Sequence, residues 1–452
     1  KVSIKNGEFH IEGTDVVIET YGNTLRDAYI GAQKMHFPIC GDELPEEFFK
    51  KPQYSTWMQY TYEQTQENVL KYAHGIIDNG FAPGILIIDE GWQKDYGTWE
   101  FNPLSFPNPK KMMDELHDMG FIVMLWVVPY VRADGREFVE QTMQFTNPKL
   151  YDKVFLRTDD GEIAITDWWD GYSACFDMTK KCDREMLDSQ LTVLMRDFNV
   201  DGFKFDGGCY DHYCEHKIIN GKPDKVYSAA ERNAAWNEFG TRYRYHEYKD
   251  TFKGGGRRVI QRLSDRNHSW DNVGLNTLIP NAIQQGLLGH PFICPDMIGG
   301  GQWAERDKAI DQELFVRMAQ CSALFPMMQF SRAPWEAVNG EYFIHVKAAH
   351  DLHNAFADTM LQLVNNAYST GEPILRSLAY NYPDCGYEYV ADEFMLGDDI
   401  LVAPVIKKGE ILKKIILPNG TWTDAYGREY IGGGIIEVDV DISSIPYFIK
   451  KN

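Results

Sequence analysis

The 452-residue sequence predicts an α/β protein whose largest part is a closed (β/α)8 barrel, also called a TIM barrel. From Ser55 onward, short apolar strand-like runs alternate with longer segments that carry apolar residues at helical spacing. This alternation is typical of parallel strands joined by helical crossovers. Eight such runs can be counted, which is the number of strands that closes a barrel of this kind.

The predicted strands and helices of the barrel occupy residues 51–380. We expect strands at Thr56–Tyr60, Gly84–Asp89, Phe121–Pro129, Asp201–Asp206, Arg257–Arg262, Phe292–Asp296, Ala323–Phe330 and Pro373–Leu378. We expect helices at Gln64–Asn79, Pro109–Met119, Cys182–Asp197, Ala229–Arg244 and His345–Asn366. An active site in such a barrel lies at the carboxyl ends of the strands.

The two ends of the chain have a different pattern. Residues 1–50 contain KVSIKNGEFHIEG and DVVIETYGN, which predict hairpins in an N-terminal β segment, a partial sandwich, with a turn at Asn6 and Gly7. Residues 381–452 contain the short alternating runs DDILVAPVIKKGE (which begins at Asp398), KKIILPNGTW and GGGIIEVDVD. These runs predict a small antiparallel β-sandwich at the C-terminus.

The composition limits the class of partner. Lys and Arg total 45 against 66 for Asp and Glu, and the net charge of -21 disfavours nucleic acid and anionic membrane surfaces. No apolar run approaches the roughly 18 residues of a membrane helix, so we expect no membrane span. Aromatic residues make up 13% of the chain, which suits stacking on sugar rings as well as a large core.

The sequence leaves the compartment and the oligomeric state open. The eight cysteines lack the spacing of a disulfide framework, so they do not indicate a redox compartment. The first residue is Lys1 rather than Met, which leads us to expect a processed chain or one cut from a longer product, with export among the options.

Acidic and aromatic residues gather at the predicted carboxyl ends of the strands. The motifs IIDEGWQ, LWVVPY, FKFD and CPDMIGGG place Asp89, Trp126, Asp206 and Asp296 there. One aspartate at a strand end is commonly a helix cap or a turn former. Several such residues at one rim indicate a functional site instead.

The stretch DGFKFDGG shows how a strand can present a charge to such a site. Phe203 and Phe205 alternate with Lys204 and Asp206, so one face of the strand is apolar and the other is charged. A charged face that points into a closed barrel requires a partner or a function. The two glycines that follow allow the chain to turn away closely behind Asp206.

A second charged segment, QRLSDRNHSWDN, spans Gln261–Asn272 after the predicted fifth strand. It is either a solvated, charge-paired loop or a proton donor among arginines and aromatics beside a substrate pocket. Two carboxylates from different loops of one rim suit glycoside cleavage, in which one attacks the anomeric carbon and the other protonates the leaving oxygen.

Several motifs, in their order along the chain, resemble glycoside hydrolase family 31. They are FKFD with Asp206, the triplet Trp270–Asn272, DMIGGG, LGDDILVAPVI and LPNGTWTDAYG, and the resemblance covers residues 55–450. Within the family, IIDEGWQ, LWVVPYV, DWWDG and FKFDGG are most similar to the branch that contains the myogenesis-regulating glycosidase, which is associated with α-galactosides.

The resemblance implies a retaining, exo-acting α-glycosidase that cleaves a terminal neutral sugar through a covalent glycosyl-enzyme. It implies Asp206 as the nucleophile and Asp271 as the general acid/base, whose pKa we expect a dry, Trp-lined site to raise. We expect Lys204, on the same strand face as Asp206, to hold the charge of Asp206 and to contact a sugar hydroxyl. It implies no metal and no cofactor. The remaining implied substrate contacts are Asp89, Trp126, Arg262, Trp270, Asp296 and Arg332, with Trp168 and Trp169 of DWWDG as stacking residues.

Departures from the family pattern argue against an α-glucoside, and the branch resemblance places an α-galactoside slightly ahead of it. The loop from Arg262 to Asp271 is shorter than in the family's α-glucosidases, and FSRAPW lacks their histidine shortly after the residue matching Arg332. An α-glucan lyase or a transglycosylase would share the covalent intermediate, and an inactive sugar-binding homologue would keep the aromatic walls. Zinc at CYDHYCEH, Cys209–His216, is a further alternative that this chemistry does not require.

Overall fold

The computed structural model describes residues 2–5, 8–11, 16–135, 138 and 154–451. Eight parallel strands pair in chain order around a barrel. The seventh strand is divided, and because its first piece pairs with the sixth strand and its second piece with the eighth, the barrel closes. The strands are Gln53–Ser55, Ile85–Ile88, Ile122–Val127, Gly202–Phe205, Tyr245–Tyr248, Ile260–Arg262, Ile293–Cys294 with Met297–Ile298, and Gln329–Phe330.

Helices cover the outside of the barrel, so a barrel strand is buried on both faces and can be apolar along its length. All four side chains of Ile85–Ile88 are buried, as expected for a parallel strand covered on both faces. Several helices begin at a side-chain cap, such as Thr65, whose hydroxyl accepts a hydrogen bond from the Asn68 amide. The helices are Leu25–His36, Glu47–Lys50, Trp57–Tyr60, Gln66–Asp78, Pro109–Asp118, Lys181–Phe198, Ala229–Gly240, Leu278–Leu287, Gln312–Ser322, Pro334–Ala337, Gly340–Ala355, Ala357–Thr370 and Leu378–Asn381, with 3-10 turns at Tyr210–Tyr213, Glu215–Lys217, Leu275–Thr277 and Trp303–Glu305.

Two small sheets are inserted into the barrel loops. The hairpin of Gln93–Asp95 and Thr98–Phe101 follows the second barrel strand. An antiparallel sheet follows the third barrel strand, and its hairpin turns between Trp168 and Gly171. The strands of this sheet are Tyr130–Arg132, Ile165–Trp168 and Gly171–Cys175.

The C-terminal region forms two antiparallel sheets that pack together. Trp422 and Phe448 of the larger sheet are buried with Ile415 and Leu417 of the smaller one. This arrangement confirms the predicted small β domain. The larger sheet contains Leu375–Arg376, Phe394–Leu396, Ile400–Val402, Tyr447–Lys450, Thr421–Asp424 and Glu429–Ile431, and the smaller contains Leu412–Leu417 and Gly434–Asp439.

The barrel prediction is confirmed, but two expected strands are misplaced and one barrel strand is missing from the prediction. The first strand is Gln53–Ser55, whereas Trp57–Tyr60 forms a short helix. The fifth strand, Tyr245–Tyr248, was missed, so the strand expected at Arg257–Arg262 is the sixth. The expected eighth strand, Pro373–Leu378, contributes Leu375–Arg376 to the C-terminal sheet instead.

The N-terminal expectation holds only in part. Val2–Lys5 pairs with Glu8–Ile11 in a hairpin, while its turn at Asn6 and Gly7 lies outside the described residues. Residues 16–23 of the expected second hairpin, DVVIETYGN, contain no strand, and a helix begins at Leu25. None of the helices in the described ranges has both the length and the apolarity required to cross a membrane.

Candidate active site

A cavity of about 510 Å³ opens at the carboxyl ends of the barrel strands. This is the end at which barrel enzymes place their chemistry, because the loops that follow the strands converge there. Five of the residues singled out from the sequence line it. The lining consists of Trp57, Tyr62, Asp89, Glu90, Trp126, Trp169, Asp170, Lys204, Asp206, Lys249, Asp265, Gly301, Gln302 and Trp303.

Asp206 lies at the floor of this cavity, directly after the fourth barrel strand. The phenyl ring of Phe205 packs outward against Trp236, at 5.3 Å between ring centroids, so the alternation turns Asp206 inward. Asp206 is 5% exposed, and its carboxylate accepts hydrogen bonds from the Trp126 indole at 3.2 Å and from the Gly207 amide at 2.8 Å. It is therefore buried, oriented and open to the cavity.

The two glycines behind Asp206 are required by their conformation and by their neighbours. Gly207 and Gly208 have φ values of 59° and 56°, in the left-handed region. A Cβ atom on Gly207 would lie 2.6 Å from the Tyr130 ring, and one on Gly208 would lie 2.5 Å from the Trp236 ring. Other residues at these positions would move the turn that holds Asp206.

Lys204 and Lys249 provide positive charge around Asp206. Lys204 Nζ lies 2.8 Å from Asp89 and 3.8 Å from Asp206. Lys249 follows the fifth barrel strand, and its Nζ lies 3.3 Å from Asp206 Oδ1. Burial alone would raise the pKa of Asp206, but the two lysines and Arg262 outweigh it and hold that pKa well below its ordinary value.

Asp265 is the second carboxylate that Lys249 contacts, at 3.1 Å between Nζ and Oδ2. Arg262 Nη1 lies 2.9 Å from the other oxygen of Asp265. Burial raises the pKa of Asp265, and the two cations reverse that effect and lower it below its ordinary value. One ammonium group thus joins carboxylates from two different loops of the rim.

Asp271, the residue expected to be the acid/base, is not among the residues that line the cavity. Its carboxylate is exposed and accepts hydrogen bonds from the Ser269 hydroxyl at 2.7 Å and the Val273 amide at 3.1 Å. These bonds lower the pKa of Asp271, whereas a dry, Trp-lined site was expected to raise it. The geometry is that of a turn-forming aspartate in a surface loop.

Arg262 and Asp296 lie beneath the cavity rather than on its wall. The Arg262 guanidinium is buried and forms ion pairs with Asp296, with Asp265 and, at 3.2 Å, with Glu247. Asp296 interrupts the seventh strand with a φ of 84°, and burial raises its pKa to about 6 despite the arginine. These residues were expected to contact the sugar, and the structure places them as supports for Asp265.

Three other predicted sugar contacts also lie off the cavity. Trp168 is buried with its ring centroid 4.3 Å from that of Tyr130, so of the two tryptophans in DWWDG Trp169 lines the cavity and Trp168 does not. The Trp270 indole donates to Asp311 at 3.0 Å. Arg332 donates to the backbone carbonyl of Arg306 at 3.0 Å.

Glu90 is a buried carboxyl group on the cavity wall that the sequence reasoning did not select. It accepts a hydrogen bond from the Tyr96 hydroxyl at 2.7 Å, and the Trp169 indole lies 3.4 Å from its other oxygen. Burial, together with the neighbouring Asp89 and Asp170, raises the pKa of Glu90 to about 8. At neutral pH the group is therefore largely a neutral acid, able to donate a hydrogen bond.

Several cavity-lining residues were not predicted, and they differ in whether a sequence motif contains them. Asp265 and Glu90 stand inside motifs that had been selected, QRLSDRNHSWDN and IIDEGWQ. Lys249 carried no signal, because the strand before it was not recognised. The remaining missed residues are Trp57, Tyr62, Asp170, Gly301, Gln302 and Trp303.

The Cys209–His216 segment brings Asp211, Cys214 and His216 together outside this cavity, with ligand atoms within 4.8 Å of one another. His216 already forms an ion pair with Asp211 at 2.7 Å. The cavity chemistry makes no use of this cluster.

Comparison with known proteins identifies the family. Residues 49–370 match the glycosyl hydrolases family 31 TIM-barrel domain, and residues 371–452 match the C-terminal domain of that family. The chain is 30% identical over 418 residues to the myogenesis-regulating glycosidase of Mus musculus, covering 89% of this chain and 56% of that protein. It is 24% identical over 422 residues to alpha-glucosidase 2 of Bacillus thermoamyloliquefaciens, covering 87% of this chain and 51% of that protein.

Solved structures share the fold. A Flavobacterium johnsoniae GH31 dextranase complexed with glucose matches with a TM-score of 0.81 at 20% identity, covering 95% of this chain and 54% of that one. The chain spans about half the length of both curated relatives. The two domain matches together cover residues 49–452, and the chain belongs to glycosyl hydrolase family 31.

Proposed function

We propose that the protein is a retaining, exo-acting α-glycosidase with Asp206 as the nucleophile and Asp265 as the general acid/base. The observation that carries this proposal is the contact of both carboxylates with the Lys249 ammonium, at 3.3 and 3.1 Å. The sum of those distances is an upper limit for the separation of these two oxygens, so the two carboxylates adjoin one position in the cavity, as a nucleophile and a proton donor must. Retention is proposed on the resemblance to the family.

In the first step, an Asp206 oxygen attacks the anomeric carbon while the bond to the leaving oxygen breaks. Asp265 gives its proton to that oxygen, so the leaving group departs as a neutral alcohol and the sugar stays covalently bound to Asp206. Lys204 and Lys249 keep Asp206 ionised, and Trp126 fixes its orientation.

In the second step, Asp265 acts as a base. It takes a proton from a water molecule whose oxygen attacks the anomeric carbon, and the bond from the sugar to Asp206 breaks. The two inversions leave the sugar with its original α configuration. Asp206 regains its charge and Asp265 regains its proton, so the cycle is balanced.

The charges around Asp265 determine the pH at which this cycle runs. General acid catalysis requires Asp265 to be protonated, whereas Lys249 and Arg262 hold its pKa below the ordinary value. The protonated fraction therefore grows as the pH falls, while Asp206 stays ionised because its own pKa is also lowered. We propose an acidic pH optimum for substrates with a poor leaving group.

The substrate we propose is a terminal, α-linked neutral sugar. Carboxylates and lysines together line the cavity, and they can bind hydroxyl groups both as acceptors and as donors. We place α-galactosides ahead of α-glucosides on the sequence resemblance. Two named relatives are a glycosidase and an alpha-glucosidase, so both sugars belong in the test.

The test measures release from a panel of 4-nitrophenyl α- and β-glycosides by the wild type, with NMR of the first-formed sugar anomer. We expect cleavage of one α-glycoside with an α-configured product. A β-configured first product would contradict retention, and cleavage of no glycoside would contradict the enzyme assignment and favour a sugar-binding homologue. Product chromatography distinguishes hydrolysis from transfer and from elimination.

A further inference from the structure

The loop that follows Asp206 contains a group of metal-binding residue types that the cavity chemistry does not use. Asp211, Cys214 and His216 each offer one ligand atom, and these three atoms all lie within 4.8 Å of one another. Carboxylate, thiolate and imidazole are the side-chain groups that bind Zn²⁺ in proteins. The three residues, called the loop cluster below, therefore form a candidate metal site.

Two consecutive 3-10 turns bring the loop cluster together. They span Tyr210–Tyr213 and Glu215–Lys217. The Cys214 amide donates to the Asp211 carbonyl at 3.0 Å, and residues three positions apart in such a turn lie on the same side of it. The second turn begins directly after Cys214 and brings His216 Nε2 to 2.7 Å from Asp211 Oδ1. The backbone of the loop thus sets the arrangement of the three side chains.

The lysines near the loop cluster are held by carboxylates that do not belong to it. Lys222 Nζ lies 2.9 Å from Glu215, and Lys217 Nζ lies 3.6 Å from Asp167. The side chains of the aspartate and the histidine of the cluster are 55% and 63% exposed. An ion from solvent can therefore reach these ligands.

The distances suit a tetrahedral zinc ion. Zinc bonds of about 2.0 to 2.3 Å place neighbouring ligand atoms roughly 3.3 to 3.6 Å apart. The separation of Asp211 and His216 is below this range, and the limit of 4.8 Å for all three atoms is above it, so side-chain shifts of roughly 1 Å are enough. Three protein ligands leave the fourth position to water. A thiolate and an imidazole favour zinc over Mg²⁺ and Ca²⁺, which take oxygen ligands.

The loop cluster encloses a residue that supports the turn behind the nucleophile. His212 lies between two of the ligands in the sequence, and its Nδ1 is hydrogen-bonded to the Tyr130 hydroxyl at 2.6 Å. That hydroxyl accepts a hydrogen bond at 2.9 Å from the amide of Gly208, two residues after Asp206. An ion at the cluster would therefore fix a loop that packs behind Asp206.

We propose that Asp211, Cys214 and His216 bind one Zn²⁺ ion, and that the ion fixes this loop without taking part in sugar cleavage. The ligands are not among the residues that line the cavity, so the ion does not contact the sugar. The proposal is independent of the proposed function, because metal binding by the loop requires no glycosidase activity.

Isothermal titration calorimetry of the reduced, metal-stripped protein with ZnCl₂ measures the site directly. We expect one Zn²⁺ per chain with a Kd of about 10 μM or tighter, and we expect Mg²⁺ not to compete for it. Co²⁺ in place of Zn²⁺ should give the near-ultraviolet charge-transfer absorption of a cobalt–thiolate bond, because Cys214 is a ligand.

Two ligand variants and a matched control locate the ion. Cys214→Ser and His216→Ala should each weaken Zn²⁺ binding at least about 10-fold, since even the loss of an outer-shell partner can cost that much. Cys385→Ser removes another exposed cysteine, in the C-terminal region, and should bind Zn²⁺ as the wild type does. Wild-type binding weaker than about 10 μM, or an affinity of Cys214→Ser equal to that of the wild type, would overturn the proposal.

Hydrogen exchange tests the effect of the ion on the loop. Saturating Zn²⁺ should slow amide exchange in residues 209–218 of the wild type and leave the exchange of Cys214→Ser unchanged. Bound Zn²⁺ with no slowing in these residues would contradict the role assigned to the ion, and equal slowing in both proteins would place the ion elsewhere.

Discussion

Asp265 and Asp271 occupy one surface loop, six positions apart, in opposite environments. Asp265 faces the cavity between Lys249 and Arg262, whereas Asp271 faces solvent and is hydrogen-bonded within its own turn. Both pKa values are lowered, one by cations and the other by hydrogen bonds. The direction of the pKa shift therefore does not distinguish the two carboxyl groups, whereas contact with the cavity does.

The largest expected effect contrasts the two residues directly. Asp265→Ala should lower kcat/KM for a disaccharide about 10²- to 10⁴-fold, the usual contribution of a general acid, and Asp271→Ala should leave it within about twofold of the wild type. Steady-state kinetics of both variants measure the difference. Asp206→Ala should be at least as impaired as Asp265→Ala, since it removes the nucleophile.

The reverse result would contradict the account. If Asp271→Ala were inactive and Asp265→Ala active, the loop would have to rearrange on binding so that the exposed carboxylate enters the cavity.

The second expected effect is a shift in the pH profile of activity when Lys249 is replaced. Removing it in Lys249→Met takes away a cation that lowers the pKa of both Asp206 and Asp265. Because activity requires Asp206 ionised and Asp265 protonated, both limbs of the kcat/KM profile should move to higher pH, by about 1 unit or more. The profile of Lys249→Arg, which keeps the charge, is the control and should stay near that of the wild type.

A Lys249→Met profile that coincides with the wild-type profile would show that this lysine does not govern the two carboxylates. A shift of the profile to lower pH would contradict the pKa-lowering effect of the lysine on both of them.

Glu90 supplies a smaller effect at alkaline pH. Its pKa is raised to about 8 by burial, so it gains a negative charge as the pH rises through that value, beside Asp89 and Asp206. We expect KM for an α-glycosyl fluoride, which needs no proton donor, to rise above pH 8 in the wild type. Glu90→Gln is permanently neutral and should keep its neutral-pH KM without that rise. An identical alkaline rise in both proteins would assign it to another group.

The smallest effect concerns Asp271 as a structural residue. Asp271→Ala removes the acceptor for the Ser269 hydroxyl and the Val273 amide, while Asp271→Asn can still accept both bonds. We expect a drop in Tm of no more than about 2 °C for the alanine variant and less for the asparagine variant, because the loop is exposed. Differential scanning calorimetry at equal pH measures both. A larger loss in Asp271→Asn than in Asp271→Ala would contradict the turn assignment.

Local patterns were sufficient for Asp206 but not for Lys249. The alternation of apolar and charged residues in FKFD indicates which side chains face the inside of the barrel. The strand before Lys249 is YHEY, in which His246 and Glu247 are buried. Because these residues are polar, the sequence of this strand resembles that of a loop. The run Pro373–Leu378 is apolar, as a barrel strand would be, but it is not part of the barrel. Only its antiparallel pairing with Phe394–Leu396 shows that it belongs to the C-terminal sheet.

The choice between Asp265 and Asp271 depends on contacts that no local pattern contains. The Gln302 side chain, from the loop after the seventh strand, holds the Asp265 carbonyl. The backbone amide of Arg266 donates at 2.8 Å to Asp296, which lies between the two pieces of the seventh strand. Both contacts join residues more than 29 positions apart, so the inward direction of Asp265 is a property of the folded barrel.

Azide rescue tests the central claim most directly. With an activated aryl α-glycoside, Asp265→Ala should still form the glycosyl-enzyme but lack the base for water, so azide should raise the rate at least about 10-fold and give an α-glycosyl azide. Asp271→Ala should respond to azide as the wild type does. Azide rescue of Asp271→Ala, the absence of rescue in Asp265→Ala, or a β-glycosyl azide as the product of Asp265→Ala would each contradict the pairing of Asp206 with Asp265.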